Sequence, residues 1–107
     1  MWSLVMFDLP TGDAKQRKQA SGFRKFLLDN GFAMVNYSVY SRCCGKMEKV
    51  KRYTKLIEDN APRTGRVSLL YFTDKQFENI KHFYNKEKYG DLPKKTEQLE
   101  LFEEHFF

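Results

Sequence analysis

The sequence predicts one α+β domain over residues 1–107, a ferredoxin-like βαββαβ sandwich with its helices on one face of a sheet and an extra C-terminal strand. Three observations predict it. Short, nearly continuous apolar runs at 2–7 and 67–72 suit strands covered on both faces or set centrally in a sheet. Two longer stretches, 13–30 and 46–60, repeat apolar residues three and four apart, as amphipathic helices do. A chain of 107 residues, 41% hydrophobic and 31% charged, can bury one ordinary core but not two.

Taken in order, Trp2 to Phe7 is the first strand, and Asp8-Leu9-Pro10 ends it. Thr11-Gly12-Asp13 reads as a turn, with Asp13 as N-cap and Gln16 as its capping-box partner. The first helix then runs to Asp29-Asn30, where Gly31 stops it. Ala20, Phe23, Phe26 and Leu27 form its apolar side, and at about 100° per residue Arg17, Lys18, Arg24 and Lys25 fall on the other arc. Phe32 to Cys44 is rich in Val, Tyr and Phe, and is either a hairpin turning near Asn36-Tyr37 or one long bent strand. Lys46 to Asn60 is the second helix, with Met47, Val50, Tyr53 and Ile57 inward and Lys51, Arg52 and Lys55 outward.

Ala61 to Gly65 breaks that helix, and Val67 to Phe72 follows as a strand. Thr73 with Gln76 then caps a short helix carrying Phe77, Ile80 and Tyr84. Residues 85–98 read as a polar loop. The alternation in 97–104 suits a half-buried strand that adds to a sheet edge, its own or a partner subunit's.

Composition narrows the function classes. The balance of apolar and charged residues sets aside disordered, collagenous and membrane-spanning chains. The longest apolar run, Leu4 to Phe7, is far short of the ~20 residues that cross a bilayer, and no basic-then-apolar leader precedes it, so a cytoplasmic protein without a membrane partner is expected. Cys43 and Cys44 are adjacent, which fits neither a disulfide framework nor zinc-ligand spacing; one is expected buried and one exposed. The net charge of +5 lies wholly within the first 60 residues, and points to a polyanion, nucleic acid in preference to a membrane surface. An ordinary solubilising surface charge is the plain alternative.

Two features carry candidate chemistry. Asp8 follows four apolar strand residues, so its carboxylate is presented by a rigid, core-anchored backbone. One carboxylate per chain is too little for metal-assisted phosphodiester cleavage, but a two-fold dimer doubles the count, and the repulsion of two Asp8 side chains meeting at the axis would raise a proton affinity or call for a cation between them. The competing explanation is that Asp8 accepts backbone hydrogen bonds in the Leu9-Pro10 turn. The second feature is the set Lys15, Arg17, Lys18, Arg24 and Lys25, uninterrupted by any acid from Ala14 to Leu28. It forms a positive helix face matched to phosphate, which Arg42 extends, with Arg17 and Lys18 also near backbone donors at the helix start. A merely solvated face is the alternative here. His82 and His105 lack neighbours that make a ligand set, no Gly-rich phosphate loop is present, and Gly65 to Phe72 lacks the aromatic pattern of a single-stranded RNA reader.

The residues Met6-Phe7-Asp8-Leu9-Pro10-Thr11, then Phe23-Arg24-Lys25-Phe26-Leu27-Leu28, then Gly31-Phe32 with Ser38-Val39-Tyr40-Ser41, resemble the second CRISPR-associated core protein, the small subunit of the spacer-acquisition machinery. The Phe-Asp-Leu-Pro-Thr form resembles the variant of type II systems. The resemblance implies a homodimer whose C-terminal strand packs on the partner's sheet. It further implies a bridge between integrase subunits, with double-stranded DNA lying across the pair. It matches Asp8 to the family's metal-binding acid, with Mg²⁺ or Mn²⁺ shared at the dimer axis. It also places the family's basic residues that touch the DNA backbone in the region of Lys15, Arg17 and Lys18.

Two readings follow, and one protein can satisfy both. In the first, the dimer holds duplex DNA through phosphate contacts for an integrase partner; in the second, paired Asp8 residues also support a metal-dependent endonuclease. A third, from another class, is a stand-alone metal-dependent RNA-cleaving, toxin-like endoribonuclease or a metabolite-sensing regulatory domain of the same fold.

Overall fold

A computed structural model describes residues 1–83. It contains β1 (Trp2–Asp8), α1 (Ala14–Asp29), β2 (Ala33–Asn36), β3 (Val39–Cys43), α2 (Met47–Asn60), β4 (Arg66–Phe72) and the short α3 (Asp74–Glu78). The four strands form an antiparallel sheet in the order β2-β3-β1-β4, which is the ferredoxin-like arrangement the sequence predicts. The expected loop at 85–98, the C-terminal strand at 97–104 and Tyr84 lie outside the described residues.

β1 is central because both of its faces are apolar. Val5 is fully buried, and Phe7 packs edge-on against Phe23 of α1, with ring centroids 5.3 Å apart. Strand alternation turns Trp2, Leu4, Met6 and Asp8 to the opposite face. The core lies between sheet and helices: Val5 and Tyr40 from the strands, Phe23 and Leu27 from α1, Phe32, Cys44, and Val50, Tyr53 and Ile57 from α2. Burying each of these side chains contributes about 1.5–3 kcal/mol relative to exposure.

α1 begins and ends where its sequence dictates. The Asp13 carboxylate accepts from the Gln16 backbone N–H at 2.8 Å, and the Gln16 side chain accepts in return from the Gly12 and Asp13 backbone. At the other end Gly31 turns the chain at φ +82°, and Phe32 donates back to the Leu27 carbonyl at 2.9 Å. Arg42 of β3 reaches this corner, donating from Nη1 to the Asn30 carbonyl at 3.0 Å while its guanidinium lies 4.3 Å over the Tyr53 ring. One side chain thus joins α1, β3 and α2.

Residues 32–44 form a hairpin. Tyr37-Ser38 make the turn, one residue beyond the expected Asn36-Tyr37, and the register shifts between Met34 and Asn36 as at a bulge. Ser38 has φ +61°, a left-handed conformation unusual outside glycine, and its carbonyl accepts from the Phe7 N–H at 3.0 Å. In α2, Met47 departs from its expected inward position and is half-exposed. It borders the open groove between α2 and the edge strand β4, where among the described residues no further element covers it. α3 is also shorter than expected and leaves Ile80 beyond its end, but Thr73 and Gln76 form the anticipated capping box. Phe77 of α3 stacks on Trp2, with centroids 3.9 Å apart and the planes 3° from parallel.

Two glycines of the α1 region, Gly22 and Gly31, should respond oppositely to alanine. Gly22 is an exposed mid-helix residue with open space at its Cβ, so Gly22→Ala should raise stability by about 0.5–1 kcal/mol. At Gly31 a Cβ runs into the Arg42 guanidinium in a backbone conformation that disfavours side chains, so Gly31→Ala should cost about 2 kcal/mol. Urea unfolding measures both, and equal midpoints for the two variants would contradict this account of the α1 terminus.

Candidate functional site

Asp8 is the last residue of β1, and the β1–β4 register sets it directly across from Arg66. It is exposed, and among the described residues its carboxylate takes part in neither a hydrogen bond nor an ion pair. The turn-stabilising explanation therefore finds no bond to support it there. Behind the carboxylate, Gly65 lies against the turn at φ +87°, so close that a Cβ would stand 2.6 Å from the Asp8 carbonyl oxygen and 3.0 Å from Leu9 Cδ2 and Pro10 Cδ. The strand end is thus seated against a neighbouring backbone, which fixes the direction from which Asp8 projects.

As a metal ligand, Asp8 offers a hard carboxylate unclaimed by other described groups. No cluster of three or more His, Cys, Asp or Glu side chains occurs among the described residues. Mg²⁺ keeps several waters and is commonly held through one or two carboxylates, so Asp8 supplies one such ligand and a second chain's Asp8 would complete the pair. His82 and the cysteines add nothing here: Cys44 is buried with its Sγ 3.4 Å from Ser3 Oγ, and Cys43 is exposed.

The basic residues separate into groups that the single-face expectation did not distinguish. Arg17 and Arg24 are seven apart, on nearly the same azimuth of α1, and flank the apolar side. They line a cavity of about 290 Å³ that α1 shares with Phe7, Thr11, Met34 and the β2–β3 hairpin. Arg17 is anchored there, donating to the Thr11 carbonyl at 3.2 Å. Lys15, Lys18 and Lys25 lie roughly a quarter turn or more further round, exposed on the outer side. Lys25 is paired with Asp29 at 3.1 Å, an exposed pair that contributes little to stability.

Arg42 does not extend this face. It is half-buried and engaged by Asn30 and Tyr53, so it serves the fold. The expected contribution of backbone donors at the start of α1 is also reduced, because the Gln16 N–H is already taken by Asp13, whose carboxylate occupies that end. Burial raises the Tyr40 phenol above its ordinary pKa, against a smaller downward pull from the Arg24 charge.

Sequence reasoning misses Arg66, Gly65 and Tyr37. Arg66 meets Asp8 only through a register spanning nearly sixty residues, which local pattern does not encode. Gly65 is legible as a breaker but not as a close backbone approach. Tyr37, at the hairpin tip, is 91% exposed; in sequence it reads either as part of the turn near Asn36-Tyr37 or as part of a long bent strand, and neither marks it as an exposed ring. A second concavity, of about 450 Å³ between α2 and β4, is bordered by Met47, Lys51, Thr54 and Tyr71 and lies away from Asp8. No helix among the described residues is long and apolar enough to cross a membrane.

If Gly65 seats the strand end, Gly65→Ala should lower the melting temperature by about 10 °C, the sum of left-handed strain and a forced shift of the Asp8 backbone. An unchanged melting temperature in a calorimetric scan would show that the Asp8–Pro10 turn is not held from this side.

Comparison with known proteins bears on the same residues. Residues 1–80 match the family model for CRISPR associated protein Cas2. A CRISPR-associated endoribonuclease Cas2 of Flavobacterium psychrophilum is 46% identical over 102 residues, covering 95% of this chain and 88% of that protein. Its counterpart of the same name in Parvibaculum lavamentivorans is 42% identical over 102 residues, covering 95% of this chain and all of that one. The crystal structure of Streptococcus pyogenes Cas2 at pH 6.5 shares the fold, with a TM-score of 0.60 at 16% identity over 78% of this chain and all of that one.

Proposed function

This chain belongs to the CRISPR-associated protein Cas2 family, and from that premise we propose that it acts in spacer acquisition as a homodimer that holds duplex DNA and bridges integrase subunits. The observation that carries the DNA-holding role is the outer face of α1, where Lys15, Lys18 and Lys25 stand exposed with Arg17 and Arg24 beside them. Such a surface attracts phosphate irrespective of base sequence, because it offers charge and no fixed pattern of base-edge contacts. The exposed Lys51, Arg52 and Lys55 of α2 extend the positive surface, although Lys55 is shared with Asp59 at 3.0 Å.

The proposed chemistry is metal-dependent phosphodiester cleavage at paired Asp8 carboxylates, a reading supported by the exposed carboxylate at a strand end, unpaired among the described residues. Mg²⁺ or Mn²⁺, if held by the paired Asp8 carboxylates, would supply charge neutralisation at a phosphate and activation of water. The protein's own part is positional. β1 fixes the height of Asp8, Gly65 lies against its backbone, and the register sets Arg66, a cationic residue, across the ladder from it. The names of the similar proteins favour RNA as a second polymer for cleavage, since they are called endoribonucleases.

Two substitutions separate holding from cutting. Asp8→Ala should abolish cleavage of labelled duplex DNA and RNA in Mg²⁺ or Mn²⁺ while leaving DNA affinity unchanged or slightly higher, since each chain loses a negative charge. Weakened binding in a gel-shift titration would sink this division of roles. Charge reversal at Lys15 and Lys18 should lower affinity and flatten its dependence on log salt by about 0.9 for each phosphate no longer neutralised; a slope equal to wild type would remove α1 from the interface.

A further inference from the structure

At the last position of the β1–β4 ladder Asp8 stands directly across from Arg66, and no other registered pair among the described strands sets opposite charges face to face. Both residues are exposed, yet they form no ion pair, and among the described residues the Arg66 side chain has no other partner. We propose that Arg66 is the phosphate-binding residue of the Asp8 site, its guanidinium taking the non-bridging oxygens of the phosphodiester on which that site acts. The inference rests on the cleavage reading and deepens it.

Placement argues for this role. Strand alternation puts Asp8 and Arg66 on the sheet face away from the helices, together with Met6 and Ser68, the next pair on that side. Directly opposed residues carry their Cβ atoms about 4.5–5.5 Å apart, close enough for one phosphate to meet both side chains. The spacing is held twice. The ladder holds it, and so does Gly65, the residue before Arg66, which lies so close to the Asp8 carbonyl oxygen that a Cβ would stand 2.6 Å from it. Two side chains on backbones locked together in this way need little further ordering to grip a ligand between them.

Charge and shape argue in the same direction. A carboxylate alone repels a phosphodiester, so a site built on Asp8 needs a neighbouring cation to attract its substrate. Arginine suits that task better than lysine, because its planar fork meets two phosphate oxygens at once. Its side chain is also longer than that of aspartate, so the guanidinium can clear the carboxylate and leave it open to other ligands. Met6 and Ser68 bring no charge to compete for it. Arg42, by contrast, is already engaged by Asn30 and Tyr53. The plainer explanation is a charge that guards the edge strand β4 against mispairing, a role that requires neither Asp8 opposite nor a phosphate.

The test uses the full chain with Mn²⁺ and thymidylyl-thymidine, a dinucleoside whose single phosphate cannot span from this site to the α1 lysines. Bound Mn²⁺ broadens the phosphorus NMR signal of a phosphate held beside it, an effect that falls steeply with distance. Wild type should bind Mn²⁺, followed by electron paramagnetic resonance, and broaden the dinucleoside signal. Arg66→Gln should bind Mn²⁺ as tightly as wild type, or up to about threefold more tightly, and bind the dinucleoside about tenfold more weakly, as loss of one charge-assisted contact predicts. Arg66→Lys, which keeps the charge but not the fork, should lose about threefold. Equal broadening and equal dinucleoside affinity in wild type and Arg66→Gln overturns the inference and leaves the metal site intact. So does a wild type that binds Mn²⁺ without broadening the signal. A Mn²⁺ affinity raised by about tenfold or more in Arg66→Gln, with dinucleoside binding unchanged, also overturns it and makes Arg66 a counter-ion of Asp8 alone. If wild type binds no Mn²⁺, the metal reading fails, and Arg66 is judged on the dinucleoside without metal, by phosphorus chemical shift. Weaker binding by Arg66→Gln then sustains the phosphate contact, and equal binding rejects it.

Discussion

The backbone pairing of β1 between β3 and β4 is the interaction on which the rest of the molecule depends. Antiparallel ladders hold Trp2 to Met6 on both edges and Phe7 and Asp8 on the β4 edge, and the two-residue period then assigns each side chain to a face. Val5 and Phe7 go to the helices and build the core. Met6 and Asp8 go to the other face. Phe7 reaches the cavity beneath α1, and the next residue presents a carboxylate on the reverse side of the sheet. A slip of one residue would exchange these roles and bury the charge, and desolvating an unpaired carboxylate costs far more than any single contact in this domain returns.

The end of the sheet where β1 stops is assembled from three distant pieces of chain. The hairpin comes down on one side through the Ser38–Phe7 bond, and Gly65 with Arg66 closes the other. Each is a non-helical, conformationally restricted segment, and two of the four positive-φ residues among those described are here, Ser38 and Gly65. By contrast, the opposite corner, where Arg42 ties the end of α1 to Tyr53, uses charge for architecture. The same residue type therefore has two fates in one small protein: half-buried arginine as a structural clasp, exposed arginine as a ligand for phosphate on the proposed reading.

Much of this was legible in the sequence, and the reason is local. The strand runs at 2–7 and 67–72, the Asp13–Gln16 and Thr73–Gln76 capping boxes, the Gly31 stop and, Met47 apart, the inward faces of both long helices are encoded within three or four residues of themselves, and these are present. Long-range register decided the rest. The choice between hairpin and bent strand turned on whether Tyr37-Ser38 could take a tight turn, which required a non-glycine residue in a left-handed conformation. Met47 points inward by periodicity, but periodicity gives a direction and not a neighbour. The basic residues of α1 make one face in sequence until a second element, the hairpin, divides them.

The position of Asp8 also constrains what any catalytic reading can ask of one chain. A lone exposed carboxylate gains little from a divalent ion in water, because the ion's hydration competes with a single ligand. Catalysis at this residue therefore gains from further ligands, and among the described residues no cluster of three or more His, Cys, Asp or Glu side chains provides them. The face that carries Asp8 also carries Met6, an apolar side chain left 43% exposed, and Val39 and Leu70 lie on the same side by register. Apposition of two copies through this face would cover the apolar side chains and bring two carboxylates toward a common axis, so that the burial favouring the dimer would also offset their repulsion. The cost of bringing like charges together is then lowered by a cation, which makes metal affinity and self-association linked quantities on this reading: each should strengthen the other by the same free energy.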